Sequence, residues 1–571
     1  MRTEKRIILL LCVAVVIFFG STELIRAFYA EYAIYKNPAL SPDESQAAFE
    51  CRDINTGMGD ESDSLKESDI FLVDIKGSAL RQLTFYTDGF NLCPDKSKVL
   101  LQTYYGLYLL DLNKNSPPRQ VFNRFPELSL DGRYGSVEQL SWSPGGRKFF
   151  FARAIGLDWE RKYSILDAET LEERPFESDL GNFWKGIQWI DDSTIIFEKD
   201  NELLSYNYLT RQGELLASGY PNEPCTNPLL SLDMQKMLYQ YTDQYKIRLG
   251  SPYYKDHRQR PQKIVICEVK DLPDWASDEL TQRLWFEKEK ILKKTDYLLL
   301  DGSISQVKVT WFSDSQRLLI KGQKELWIYN LFDSSYTSVF LDSIPIMEAV
   351  LTPDQGKIFF LSSFWGDKDG DGRISREEKF SDLKVYDLRN KECRIILNHS
   401  EPAVQLSLSP DGKFLAFVKG DNIWVLNTET EDVSQLTFDS GINPQWLADS
   451  KSLLFSEKGS LIRVNLESKK YTYLTLGRGV EPNWFNDKEI ALKSGGKFWK
   501  ISLDKFEVKE IETYPDKPKI SKGKRYEVYI EDVKLEPMYK NISELKAKNV
   551  DTSESWTIKQ PWCNFCWELK K

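Results

Sequence analysis

Two histidines, His257 and His399, are all that 571 residues contain. That scarcity leaves little for histidine acid–base chemistry or a histidine-rich metal centre. No G-x-S-x-G stretch occurs, so the elbow that presents a hydrolase serine is missing. A basic surplus is missing too. The net charge is −10 and the pI about 5.3, which argues against nucleic acid as a partner, because phosphate binding needs a concentrated positive surface. The eight cysteines include one C-x-x-C pair, Cys563 and Cys566, but no second pair to complete a zinc site. This pair reads first as a local disulfide or unpaired thiols, then as a redox-sensitive tail, and last as a metal site. Cys51, Cys93, Cys225, Cys267 and Cys393 stand alone and read as small core residues.

Long apolar runs are absent except for one. Ile7 to Phe19 is uninterrupted and follows the basic residues Arg2, Lys5 and Arg6. Its length suits a secretory h-region better than a full bilayer span, yet no small-residue cleavage site follows it. An N-terminal hydrophobic helix within 1–30, an uncleaved signal anchor rather than a cleaved signal peptide, is the expectation. Either form places the bulk of the chain outside the cytoplasm, in a periplasm or at a cell surface.

What is present is repetition. Hydrophobic residues are 41% and aromatics 13%, so most of the chain should fold. The most regular stretch is LSLSPDGKFLAFVKGDNIWVLNTETEDVSQLTF, from Leu406 to Phe438. Short period-2 runs broken by Ser409-Pro410-Asp411-Gly412 and by Gly420-Asp421 read as antiparallel strands. Looser copies open at Asn37-Pro38, Leu92-Cys93, Leu140-Ser141, Ile187-Gln188, Asn227-Pro228, Val309-Thr310, Ala349-Val350, Asn443-Pro444 and Glu481-Pro482. About ten units of this length predict an all-β fold, a β-propeller of four-stranded blades, as one large ring or two smaller ones. A long insertion is expected at 245–294, with helical spacing over 274–294. Residues 513–571 carry no repeat, although 525–535 alternates like a strand.

Ser409-Pro410-Asp411-Gly412-Lys413-Phe414-Leu415-Ala416-Phe417 resembles the WD40-like (PD40) repeats of TolB-type propellers. The resemblance extends over 37–512, strongest in this copy. At the repeat level the chain is also similar to the propeller domains of prolyl-oligopeptidase and dipeptidyl-peptidase proteins. The resemblance implies a propeller without the fused hydrolase, for which only a short tail remains.

One local motif carries chemistry. Asp367-Lys368-Asp369-Gly370-Asp371-Gly372-Arg373-Ile374-Ser375-Arg376-Glu377-Glu378 matches the twelve-residue calcium loop of EF-hand type. Asp367, Asp369 and Asp371 would converge on one cation, and Gly372 permits the turn. Arg373 would contribute its carbonyl, Ser375 its side chain or a bridging water, and Glu378 both oxygens. The preceding residues read as a strand, which predicts a lone structural calcium clip in a blade and not a paired sensor; a solvated acidic turn is the plainer alternative. The functional expectation is an exported or membrane-anchored scaffold that binds proteins and is not an enzyme. A carbohydrate-active hydrolase or lyase, with acids converging in the funnel, is the alternative.

Overall fold

In the computed structural model, every element among the described residues is a β-strand. The described residues are 31–559 without 56–68, 77–79, 88, 104–105, 115, 124–136, 156–159, 177–184, 200–201, 219–224, 231–235, 243–261, 269–297, 301–307, 323, 334, 342–343, 366–378, 516–524 and 536–539. The expected N-terminal helix, the helical spacing over 274–294 and the Cys563–Cys566 pair lie outside them. Among the described residues no helix is long and apolar enough to cross a membrane.

Ten four-stranded sheets and one three-stranded sheet follow one another along the chain. The four-stranded sheets span 31–82, 90–123, 137–175, 185–218, 225–300, 308–341, 346–400, 403–435, 442–473 and 480–511, and the last sheet spans 526–559. Each is an antiparallel meander of consecutive strands, the blade of a β-propeller.

The eighth sheet shows why the repeat folds this way. Ser409 Oγ donates to Asp411 (2.7 Å), and the amide of Phe414 donates back to Ser409 Oγ (2.9 Å). Asp411 also accepts from the Lys413 amide (3.1 Å), and Gly412 takes the left-handed conformation at φ 74°. These bonds close the turn between the first strand, Ala403–Leu408, and the second, Phe414–Lys419. The Leu-Thr pair at the end of the repeat has a role of its own. Thr437 Oγ1 accepts from the Ile423 amide at the start of the third strand (2.9 Å) and donates to Asn422 (3.3 Å). Thr84 and Thr475 accept from Ile70 and Leu461 in the same way.

Alternate residues of each strand face the two neighbouring sheets. Ala416, Val418, Ile423 and Val425 of the eighth sheet share a core with Trp446, Leu453, Phe455 and Ile462 of the ninth. The tryptophan before the turn spans the seam: Trp446 Nε1 donates to the Ser407 carbonyl (2.9 Å), and Trp189 Nε1 to that of Ser141 (3.1 Å).

The fifth sheet corrects one boundary. Its third strand, Gln262–Glu268, pairs with Lys236–Thr242 on one side and Leu298–Leu300 on the other. Part of the expected insertion at 245–294 is therefore framework. The β-branched run Ile264-Val265-Ile266 is the local cause.

The order of packing departs from the order of the sequence. The tenth sheet stacks on the first: Trp484 Nε1 donates to the Ala39 carbonyl (3.0 Å), and the Asp43 amide to Asp487 (2.9 Å). The Phe85 amide, just beyond the first sheet, donates to the Leu476 carbonyl just beyond the ninth (2.6 Å). One core cluster joins the first, second, ninth and tenth sheets. The opposite face of the first sheet, with Tyr35, Phe49, Phe71 and Val73, is covered by Leu545, Ala547 and Ile558 of the C-terminal sheet.

Candidate functional site at the channel rim

First strands of successive sheets touch each other in the third to fifth and the seventh to ninth sheets, so these strands surround the axis. Their pairing slips at one place in the first, third, fourth, fifth, seventh, eighth and ninth sheets and at two in the tenth. Such bulges turn a side chain out of the strand's alternation. Asn37, Gln405, Asn443 and Glu481 stand at these slips with φ of 47°, 60°, 56° and 52°.

On the seventh to ninth sheets the bulges form a connected rim. Both carboxylate oxygens of Glu348 accept backbone amides of the next sheet, Gln405 at 2.9 Å and Leu406 at 2.8 Å. The Gln405 side chain in turn donates to Asn443 Oδ1 (3.0 Å) and accepts the Asn443 amide (2.8 Å). Met347 and Val404 stand beside this ladder, 46% and 40% exposed. Glu50 does comparable work in the first sheet, accepting Asn37 Nδ2 and the Glu481 amide, each at 2.6 Å. Next to the rim, Lys321 is buried and donates to the carbonyls of Ile346 (2.9 Å) and Gly322 (3.2 Å). Burial, reinforced by Lys308 and opposed by Glu348, brings its ammonium down to about 8.

Meander topology sorts the loops between two rims. The Ser-Pro-Asp turns join first to second strands on one rim. Second-to-third connections emerge on the other, the rim from which the first strands begin. Three of these connections are long, and the strand ends they join are described: Asn55 and Asp69, Thr242 and Gln262, and Trp365 and Lys379. Asp69, at the start of a third strand, lies on this side as well. It is buried and accepts from Thr84 Oγ1 (2.9 Å). Burial pushes its carboxyl up to about 7, against the pull of Thr84, Arg478, the Tyr86 amide and Gln82.

The six expected calcium ligands, Asp367, Asp369, Asp371, Arg373, Ser375 and Glu378, all fall in 366–378, outside the described residues. What the fold does place is the base of their loop. Lys357–Trp365 and Lys379–Asp387 pair in unbroken register up to Trp365 opposite Lys379, with Phe364 and Phe380 stacked at 5.5 Å. Strands flank the loop, and its two ends are adjacent. Among the described residues no group of three or more histidine, cysteine or acidic side chains could hold a metal. Cys51 and Cys93 are buried and stand in no disulfide among the described residues. Cys93 stands where the eighth sheet has Ser409: its Sγ donates to Asp95 (2.7 Å) and accepts the Lys98 amide (3.0 Å).

Motif reading did not single out Glu348, Gln405, Lys321 or the acid at Asp69. One signal was available. Asn37, Asn443 and Glu481 each precede a proline, and proline inside a strand is tolerated chiefly at an edge or a bulge.

The profile of the dipeptidyl peptidase IV N-terminal region matches residues 369–457, from the loop of the seventh sheet into the ninth. An oligogalacturonate lyase solved with manganese is 12% identical and has a TM-score of 0.40; the match covers 66% of this chain and 95% of that one. Dipeptidyl peptidase 4 of Porphyromonas gingivalis is 10% identical, with coverages of 82% and 65% and a TM-score of 0.45. A prolyl endopeptidase is 11% identical, with coverages of 75% and 57% and a TM-score of 0.37. No curated relative matches the sequence. By its own four-stranded sheets the chain is an all-β propeller, and its residues 369–457 are similar to the N-terminal region of dipeptidyl peptidase IV.

Proposed function

We propose that this propeller is a non-enzymatic scaffold that binds a protein partner through the rim carrying the long second-to-third strand loops. Its repeats are read as TolB-like. It works outside the cytoplasm, held at the membrane through 1–30 when that segment is retained. The observation that carries this reading is the state of the axis. Where the wall is described on the seventh to ninth sheets, its exposed side chains are Met347 and Val404, beside an amide pair. The carboxylate there, Glu348, is engaged by two backbone amides. A hydrolase or lyase in the funnel needs acids free to exchange protons with a substrate. A rigid frame with variable loops on one rim suits recognition.

Calcium has a place in this reading as a clip. The adjacent strand ends at Trp365 and Lys379 suit a closed cation loop. Asp367, Asp369, Asp371, Ser375 and Glu378, with the Arg373 carbonyl, would hold the ion and fix the loop's shape at the rim. Calorimetry tests the ion: Asp371→Ala should abolish calcium binding, and unchanged binding removes the assignment. A pull-down of residues 31–571, with and without calcium and analysed for proteins and glycans, tests the scaffold. A stoichiometric protein partner is expected; a shortened polysaccharide overturns the reading.

A further inference from the structure

We infer that the seam between the eighth and ninth sheets, where it opens on the rim of long loops, seats a lysine or arginine side chain of a partner protein. This rests on the scaffold reading and names the chemistry of the partner. The register of the ninth sheet builds one wall. Phe455 stands opposite Ile462, Ile462 opposite Tyr473, and Val464 opposite Tyr471. Opposed residues share a face, and Phe455, Ile462 and Val464 pack on the eighth sheet. Glu457 lies two residues beyond Phe455, on that same face, at the turn into the third strand. The connection Phe438-Asp439-Ser440 is the other wall. Ile442 stands opposite Ser456, so Ser440 and Gly441 run beside Glu457. Tyr471 ties the two walls together, its hydroxyl donating to the Leu436 carbonyl (2.7 Å).

The polar groups of this seam are uncommitted. Among the described residues no hydrogen bond or ion pair holds the carboxylate of Glu457 or of Asp439. Ser440 Oγ is shut off from water and also lacks a partner. Burial and the charge of Asp439 raise the Glu457 carboxyl, against the pull of Lys458 and Lys497. Lys497 is already paired with Glu510 at 3.1 Å, so Lys458 alone faces two acids. Burial, then Glu457, Glu510 and Asp439, push the Tyr473 hydroxyl up to about 12, so the negative field extends over the aromatic wall. Tyr473 is half-buried against Trp499, with ring centroids 4.4 Å apart. Phe438 and Tyr471 are 77% and 43% exposed at the mouth.

Neighbouring sets of the same composition are filled by the chain itself. Lys493 lies 5.3 Å from the centre of the Tyr514 ring and pairs with Glu481 at 2.6 Å. Lys500 lies 5.5 Å from the Phe485 ring and pairs with Glu489 at 2.8 Å. In each, a cation joins a ring to an acid. At Glu457 the acids and the rings are present, yet among the described residues no lysine or arginine lies over Phe438, Tyr471 or Tyr473. A basic side chain from outside meets both demands, its charge on the carboxylates and its stem or guanidinium face on the rings. The net charge of −10 draws a basic partner toward the molecule.

The test is fluorescence anisotropy on the full chain with labelled heptapeptides that carry Arg or Lys between Gly and Ser. Citrulline in place of Arg keeps the shape, removes the charge and serves as the control. Saturable binding of the basic peptides is expected, weakened by at least about tenfold in Glu457→Gln/Asp439→Asn and falling as salt rises. Glu429→Gln/Asp432→Asn makes the same charge change at a turn on the opposite rim and should leave binding as it is. Thermal melts matching the parent show that both double variants are folded. Undiminished binding by Glu457→Gln/Asp439→Asn, equal loss in the two double variants, equal binding of the citrulline peptide, or no saturation up to about 1 mM overturns the inference. The scaffold reading has its own readout in the pull-down. A protein partner captured while no basic peptide binds strikes the seat alone. A shortened polysaccharide alongside charge-selective peptide binding strikes the scaffold alone.

Discussion

Asp69 and Asn422 occupy the same place in two copies of one repeat, and their difference is a matter of charge. Each receives the hydroxyl of the Leu-Thr threonine, Thr84 or Thr437. Asn422 can do so without ionising, whereas Asp69 is held where burial opposes its charge. Its carboxyl titrates at about 7 in the folded chain and near about 3.9 when unfolded. The folded state therefore binds more protons between these values. The stability this gives is full below about pH 4 and is lost as pH rises through about 7. Asp69→Asn should raise the thermal midpoint at pH 8 by several degrees and leave it nearly unchanged at pH 4. An equal shift at both values would show that the acid is not strained by its charge. None of this was legible in the sequence, where Asp69 ends an acidic loop and looks solvated. Cys93 was legible: a small buried residue at the serine position of the turn, as Pro94-Asp95 beside it indicates.

At the scale of the element, the turn does most of the work. Asp411, Asp449 and Asp95 all have lowered carboxyl values: burial pushes each one up, but hydrogen bonds from Ser409, Ser452 and Cys93 and from turn amides outweigh it. Groups of this kind stabilise the fold above about pH 4, and the stability is lost as pH falls through their lowered values. The thermal midpoint should therefore drop steeply between pH 4 and pH 2.5, unlike that of a chain held by apolar contacts alone. Gly412 is a separate case. Glu44, Lys96, Gln355 and Ser450 take the same left-handed conformation in other turns, so that conformation alone does not demand glycine. At Gly412 a Cβ would also lie 2.8 Å from Pro353 Cδ of the neighbouring sheet. Gly412→Ala should cost about 1–3 kcal/mol, read as a lower midpoint in urea.

At the scale of the molecule, the first sheet is enclosed by elements from the far end of the chain. The tenth sheet covers one face and the C-terminal sheet the other. Trp556 Nε1 donates to the Ile75 carbonyl (2.8 Å), and the Arg525 amide bonds Glu44 (3.0 Å). Truncation after Pro515 would leave Tyr35, Phe49, Phe71 and Val73 in water, at about 1.5–3 kcal/mol for each large apolar side chain. The truncated protein should bind a hydrophobic dye and melt well below the parent. An unchanged melt would make the C-terminal sheet an appendage and not part of the core.

Strand, turn and seam were written in the chain, because a period of two, a Pro-Asp turn and a tryptophan before it act within a few residues. The sequence determined the four-stranded unit at Leu406–Phe438 and its repetition for that reason. The sheet order and the axis were decided only in three dimensions. Nothing local tells the first sheet that the tenth will stack on it, since its alternation of Ala48, Ile70 and Leu72 suits any neighbouring blade. Nothing local tells Glu348 that its two oxygens will meet the amides of Gln405 and Leu406, a contact made across a gap of more than fifty residues. Carboxylate chemistry depends on what lies within hydrogen-bonding distance, and that is set by the closure of the fold.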